Sequence, residues 1–386
     1  MSAHANPDII DDGLVFLYDT DDGKSYKGEP TTNLITSGGI DFSQRSGYTN
    51  LQTSQVVDSR SPSGYACEME VQDGANINTA ARSQFGQGTN MPSSGNAFVS
   101  IFAKLEGGTY SNITPKIYNG SGTAWQSLSA LDGGSAYLTS EYRRFGYYGA
   151  ITANPGFSMT KGNSNIQTGQ KTRWHSPQVE LKSHATPFVN GTRSATQGLI
   201  DRTGNTTIDL SNVSFDSNAQ MTFDGTDDYI ALPSDIRSIF TSYPNCMECV
   251  LKKSSSDQGD MVAFDVDITR WNLNYNMYVS NQWSFDFYDG TEHVIAAGNY
   301  DDEYVHFVLQ QLSDGTMQIY ANGVLKGSSA ASNLSPNGSS IRIGSRSNGD
   351  SRYFKGDIPI MKIYNKALTS TEVLQNFNAT KSRFGL

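Results

Sequence analysis

The sequence predicts an all-β fold of two antiparallel β-sandwiches of the jelly-roll type, on three observations. Apolar runs of about 5 to 8 residues alternate with polar residues and are separated by Gly, Asn, Asp and Ser. No helical period of useful length runs between residues 60 and 190. Twenty Tyr and eighteen Phe supply core bulk in a chain that is only 17% charged. At 386 residues the chain is long enough for two domains.

In chain order, residues 14 to 18, LVFLY, read as a fully buried strand, and the Asp-, Gly- and Pro-rich stretch after it as a loop. From Tyr65 the strand-like segments are YACEMEV, AFVSIFAKL, ITPKIYNG, RRFGYY, FSMT and QVEL, which we read as about eight antiparallel strands. A second block begins near Ser194. Met221, Phe223, Tyr229 and Ile230 flank an Asp224-Gly225 turn, and residues 234 to 243 suit a short helix or turn. MECVLKK, MVAFDVD, WNLNYNMYVS and QWSFDFY follow as strands. EYVHFVLQQL and TMQIYANGVLK make a hairpin through Ser313-Asp314-Gly315, and Asn322-Gly323 marks another. IRIGSR and IPIMKIY are the last pair. Thr369 and Glu372 form a capping box, opening a helix whose apolar face is expected to be Val373, Leu374 and Phe377.

Composition excludes several classes. The net charge is -10 and no basic run exceeds two residues, so no nucleic-acid partner is expected. Cys67, Cys246 and Cys249 make neither a disulfide framework nor a zinc ribbon. The start, MSAHANPDIIDDG, lacks the pattern of a signal peptide, and no apolar run is long enough to span a bilayer. The expectation is a protein made in a cytoplasm, with no membrane insertion. The N-x-S/T sequons at Asn112, Asn205 and Asn337 are then incidental.

The strings GLIDRTGNTTIDLSNVSF, MTFDGTDDYIAL, YVHFVLQQLSDGTMQIYANGVLKG, IRIGSR and FKGDIPIMKIYNKALTSTEV occur in this order. Together they resemble the concanavalin A-like lectin/glucanase domains of the laminin-G type, which implies that the second sandwich is concanavalin A-like. The resemblance to the domain's opening lies in Gly13 to Asn33, and to its continuation in Gly198 to Leu210. The split implies residues 1–32 and 194–386 as one domain with 33–193 as an inserted jelly-roll, carbohydrate-binding-like domain; two tandem domains are the competing arrangement. WHSPQVELKSHATPFVNGTR, from Trp174 to Arg193, resembles the end of such jelly-rolls in phage structural proteins. The whole arrangement resembles virion structural proteins of tailed phages. It implies a fibre, tail-tip or capsid-decorating component located in the virion. Its partners would be other virion proteins, with a homo-oligomer, on the analogy of fibres a trimer, and contact with host-surface polysaccharide. The alternative is a free lectin or carbohydrate-binding protein, and behind it a glycoside hydrolase.

An enzyme is not expected. Glycoside hydrolysis needs two carboxylates across a cleft, and the E-x-D-x-x-E strand of hydrolases with this fold is missing. Glu68 with Glu70, and Asp265 with Asp267, share strand faces and read as exposed edge faces. The five His are isolated and no nucleophile elbow occurs, so no catalytic residue is assigned. No cofactor is required, but calcium fits an oxygen-rich loop: Asp19, Asp21 and Asp22; Asp257 and Asp260; or, preferred, Asp224, Asp227 and Asp228. Glycan contact is assigned to Trp125, in a Gly/Ser-rich turn, to Trp174, and to Arg352 and Tyr353 in the polar loop 346–354. Trp271 and Trp283 have strand phasing and are assigned to the core.

Overall fold

The computed structural model describes residues 8–35, 37–43, 45–46, 51–72, 83–85, 95–108, 112–118, 125–151, 156–160, 166, 168–257, 259–266, 271–330, 340–347 and 352–386. The chain divides into two compact units. The first holds residues 1–29, 194–216 and 220–386, and the second 30–193 and 217–219.

In the first unit two antiparallel sheets face each other. Among the described residues one has eight strands. Its central strand Lys355–Tyr364 is flanked by Asn245–Lys253 on one side and by Leu14–Asp19 and Met221–Asp224 on the other. Tyr304–Gln311, Met317–Ala321 and Val324–Ser329 extend the sheet beyond Asn245–Lys253. The other sheet has six strands, in the order Ile230–Leu232, Ile341–Ile343, Met261–Val266, Trp271–Tyr275, Trp283–Tyr288 and Glu292–Gly298. Alternation puts Met247 and Phe307 from the first sheet against Phe264, Leu273 and Phe285 from the second, in one core. Trp271 and Trp283 lie within it, fully buried. The Asn322-Gly323 hairpin forms because both residues adopt positive φ, 51° and 76°, which a two-residue turn of this hand requires.

The N-terminal strand Leu14–Asp19 buries only Phe16 and Tyr18, so it is not buried on both faces as its continuous apolar run predicts. It is fixed by a buried carboxylate far along the chain. Asp201 accepts from the Leu17 amide at 3.0 Å and from the amides of Thr203, Asn205 and Thr206. The DRTGN string is thus a hydrogen-bonded clamp on the first strand, since a carboxylate accepting several amide bonds is well satisfied without solvent.

The helix Ser370–Phe384 starts at the capping box of Thr369 and Glu372 and ends at Gly385 in the left-handed region. Its buried face is Val373, Asn376 and Thr380; Leu374 is 47% exposed and Phe377 half-buried. This corrects the expected apolar face. The sheet beneath the helix presents the buried Glu248 carboxylate, and Asn376 is there to donate to it at 2.6 Å.

The second unit has a six-stranded sheet and a five-stranded sheet among the described residues, more strand segments than the eight expected. Val99 and Ile101 of the first pack with Ile117 and Phe157 of the second. Its two ends are held together. Thr31–Thr32 pairs with Thr192–Arg193, and the Asn33 amide donates to Gly191 O at 2.8 Å. Glu180 is fully buried and accepts from Thr31 Oγ1, Thr186 N and Oγ1, and Gln178 Nε2. The Q-V-E and T-P-F-V strings are therefore a clasp built from a satisfied buried carboxylate.

Candidate functional site

The turn after strand Met221–Asp224 gathers three carboxylates whose oxygens lie within 4.8 Å of one another: Asp224, Asp227 and Asp228. Gly225, at φ 84°, lets the chain reverse there. Asp224 Oδ1 accepts from the Thr226 amide at 2.6 Å, which folds the turn back over its own side chain. Asp228 is buried, and its two oxygens accept from the Asp224 amide at 2.7 Å and from Ser214 Oγ at 3.1 Å. Burial raises its carboxyl from the usual range; these hydrogen bonds oppose the rise, and the charges of Asp224 and Asp227 add to it. Among the described residues none of the three has a basic partner in ion-pair range. A cation here would relieve the repulsion. The cluster is a surface site able to coordinate a metal ion.

Asp19, Asp21, Asp22 and Asp260 of the other acidic strings face basic partners. Arg383 forks onto Asp19 at 2.6 and 2.7 Å and reaches Asp21, and Arg202 pairs with Asp22 at 3.1 Å. Asp260 accepts from Asn276 at 3.0 Å and faces Arg352 at 3.9 Å.

Beside Asp224 runs a groove of about 550 Å³, bordered by Thr222, Lys252, Ser254, Asp302 and Asp357. Its floor at Gly356 is bare backbone. A Cβ there would meet Lys252 O at 2.0 Å, and φ is 142°. Lys252 pairs in register with Asp357 on one neighbouring strand and with Tyr304 on the other. Asp302 accepts from the Ser255 amide at 2.9 Å; hydrogen bonds from Ser255 hold its carboxyl below the usual range. Lys253, fully buried, ties Ser254, Asp257 and Asp301 together and fixes the loop that carries Ser254. Sequence reasoning missed Lys252, Asp302 and Asp357. They come from separate parts of the chain and meet only through strand register.

Of the residues assigned to glycan contact, Trp125 and Trp174 belong to the second unit and Arg352 and Tyr353 to the first. Trp174 is corrected to a core residue: it is fully buried, packs against Phe157, and donates from Nε1 to Thr172 Oγ1 at 2.7 Å. Strand alternation accounts for this, because Arg173 and His175 take the opposite face. Trp125 opens strand Trp125–Ser127 opposite Tyr118, and its side chain lies outside the described residues. Arg352 and Tyr353 are half-buried in the first unit, and residues 348–351 of their loop lie outside the described residues.

Neither carboxylate pair is an exposed edge face. Glu68 lies in an interior strand and is bound by Lys171 and Arg173 at 3.2 and 3.0 Å. Asp265 is fully buried, accepts from the amide and hydroxyl of Ser347, and is pushed up to about 6 by burial. Asp267 lies outside the described residues. Nor is every His isolated, since His306 Nε2 donates to the Glu248 carboxylate at 3.0 Å in the interior.

A profile of the concanavalin A-like lectin/glucanases superfamily matches residues 224–374. No curated protein matches the chain. Among solved structures the chain is similar to the receptor binding domain of botulinum neurotoxin D, at 15% identity and a TM-score of 0.40, over 49% of this chain and 51% of that one. It is also similar to the botulinum neurotoxin type G receptor binding domain, at 19% identity and a TM-score of 0.36, over 48% and 49%. The chain thus spans about half the length of these structures, and no residue role is carried over from them.

The fold is all-β, with jelly-roll-type antiparallel sandwiches of which one is concanavalin A-like. The family match over residues 224–374 is to a lectin/glucanase-type domain, and the solved structures are receptor-binding domains of toxins. The same findings overturn the tailed-phage reading. A virion structural role, other virion proteins as partners, a fibre-like trimer and a virion location all fall with it. Among the described residues no helix is long and apolar enough to cross a membrane.

Proposed function

We propose that the chain is a carbohydrate-binding protein of the lectin type, with sugar held in the groove beside Asp224 and Ca²⁺ held by Asp224, Asp227 and Asp228. The observation that carries this is the groove's lining. Carboxylates of Asp302 and Asp357 share the lining with donors from Lys252 and Ser254 and with the bare backbone of Gly356. Sugar hydroxyls both donate and accept, so a lining of both acceptors and donors suits them. Its volume is within the range of small-ligand sites, about 300–1,000 Å³. A cation on the acidic turn would stiffen the rim that carries Asp224.

The same reading takes residues 1–32 and 194–386 as one concanavalin A-like domain and 33–193 as a jelly-roll inserted into it. The Asp201 clamp on the first strand and the paired ends of the second unit support that arrangement. The test is a panel of immobilised saccharides probed with the intact chain in calcium. Asp302→Asn is expected to lose at least tenfold in signal. A panel that retains no chain, or retains Asp302→Asn equally well, contradicts the proposal.

A further inference from the structure

The solvent-side face of the six-stranded sheet in the second unit carries a row in which Arg144 is paired with Phe102, and Phe102 with His175. The Phe102 and His175 rings stack at 5.0 Å with 4° between planes, and Tyr142 meets His175 edge-on at 4.3 Å. The Arg144 guanidinium lies 5.6 Å from the Phe102 centroid, so the cation caps one end of the stack.

Three other cations near this stack are matched by carboxylates. Arg60 pairs with Asp58, Lys104 with Glu106, and Arg173 with Glu68 and Glu106. Among the described residues Arg144 forms no ion pair. Its Nη2 donates to Ser100 Oγ at 2.8 Å, and its Nε is buried with no hydrogen-bond partner. Burial pushes Arg144 down to about 10, Glu180 at longer range opposes the shift, and Arg193 adds to it. A half-buried guanidinium with an unused donor is costly, and a carboxylate is the partner such a cation suits.

We infer that this face is a second binding site, for an acidic sugar whose carboxylate pairs with the Arg144 guanidinium while its ring lies along the edges of Phe102, His175 and Tyr142. His175 suits such a neighbour. Burial pushes it down to about 4, so it is neutral near pH 7 and leaves the charge recognition to Arg144. The inference takes its ligand class from the carbohydrate-binding reading but uses a different unit and different residues, so the two fail separately.

The test is calorimetric titration of the intact chain with oligogalacturonate, with neutral galacto-oligosaccharide of the same length, and with sodium acetate as the free-carboxylate control. Oligogalacturonate is expected to bind more tightly than either control, and to weaken as salt rises. Arg144→Gln is expected to lose at least tenfold, and Arg144→Lys, which keeps charge and packing, to lose part of that. The inference is overturned by equal binding of acidic and neutral oligomers or by acetate matching the oligomer. It is also overturned by absence of acidic binding, or by Arg144→Gln and Arg144→Lys both binding as the wild type does.

Discussion

Glu248 is the place where a single proton should decide the stability of the first unit. Its side chain is 1% exposed, and Oε1 takes His306 Nε2 at 3.0 Å and Lys362 Nζ at 2.6 Å. Oε2 takes Asn376 Nδ2 at 2.6 Å, which fastens the C-terminal helix. Burial alone would raise this carboxyl; Lys362 and His306 outweigh it and hold it at about 2, against an ordinary 4.5. That gap, at about 1.4 kcal/mol per pH unit, is about 3 kcal/mol of stability. Because the folded value is the lower one, the contribution is complete above about pH 4.5 and is lost as the pH falls through about 2. Glu248→Gln removes the charge and leaves Lys362, 2% exposed, without its anion. Breaking a buried pair in this way costs about 3–5 kcal/mol. With a urea slope of about 2–3 kcal/mol per molar, the midpoint should fall by about 1–2 M. Trp271 and Trp283 are buried in the same unit and report its unfolding by fluorescence. The gap between variant and wild type should close as the pH approaches 2. A midpoint that does not move at pH 7, or a gap that persists at pH 2, would refute the reasoning.

Asp265 has the opposite sign. Its folded value, about 6, lies above the ordinary 3.8, so the wild type should lose about 3 kcal/mol as the pH rises between those values. Asp265→Asn should flatten that slope in thermal midpoints taken from pH 4 to 7, and an unaltered slope contradicts the assignment. Gly356→Ala should destabilise the first unit by at least about 2 kcal/mol, since its Cβ would overlap Lys252 O. A denaturation midpoint equal to the wild type would show that the groove floor tolerates a side chain.

Much of the fold is legible in local pattern. The Asn322-Gly323 turn, the capping box at Thr369 and the strand phasing of Trp271 and Trp283 need only short-range chemistry. Trp174, assigned to glycan contact from its residue type, lies in the core, as the alternation Arg173, Trp174, His175 already implies. The helix face was misread because Asn376 is polar, and only the hidden Glu248 explains its burial. Asp265 lies on a strand buried on both faces, where alternation gives no warning of a buried acid. The groove was invisible for a different reason: Lys252, Asp302 and Asp357 meet through pairing between distant segments. The strings around Gln178, Glu180, Thr186 and Arg193, which suggested a virion protein, form or adjoin a hydrogen-bonded clasp that closes the second unit. A clasp of this kind carries no functional information.

The most direct test of the central claim is saccharide-panel binding of the intact chain, in millimolar Ca²⁺ and after metal removal, alongside Asp302→Asn. The account predicts saccharide binding in calcium, a lower signal once the Asp224, Asp227 and Asp228 turn is stripped of metal, and at least a tenfold loss in Asp302→Asn. No saccharide retained above background in either condition would contradict it.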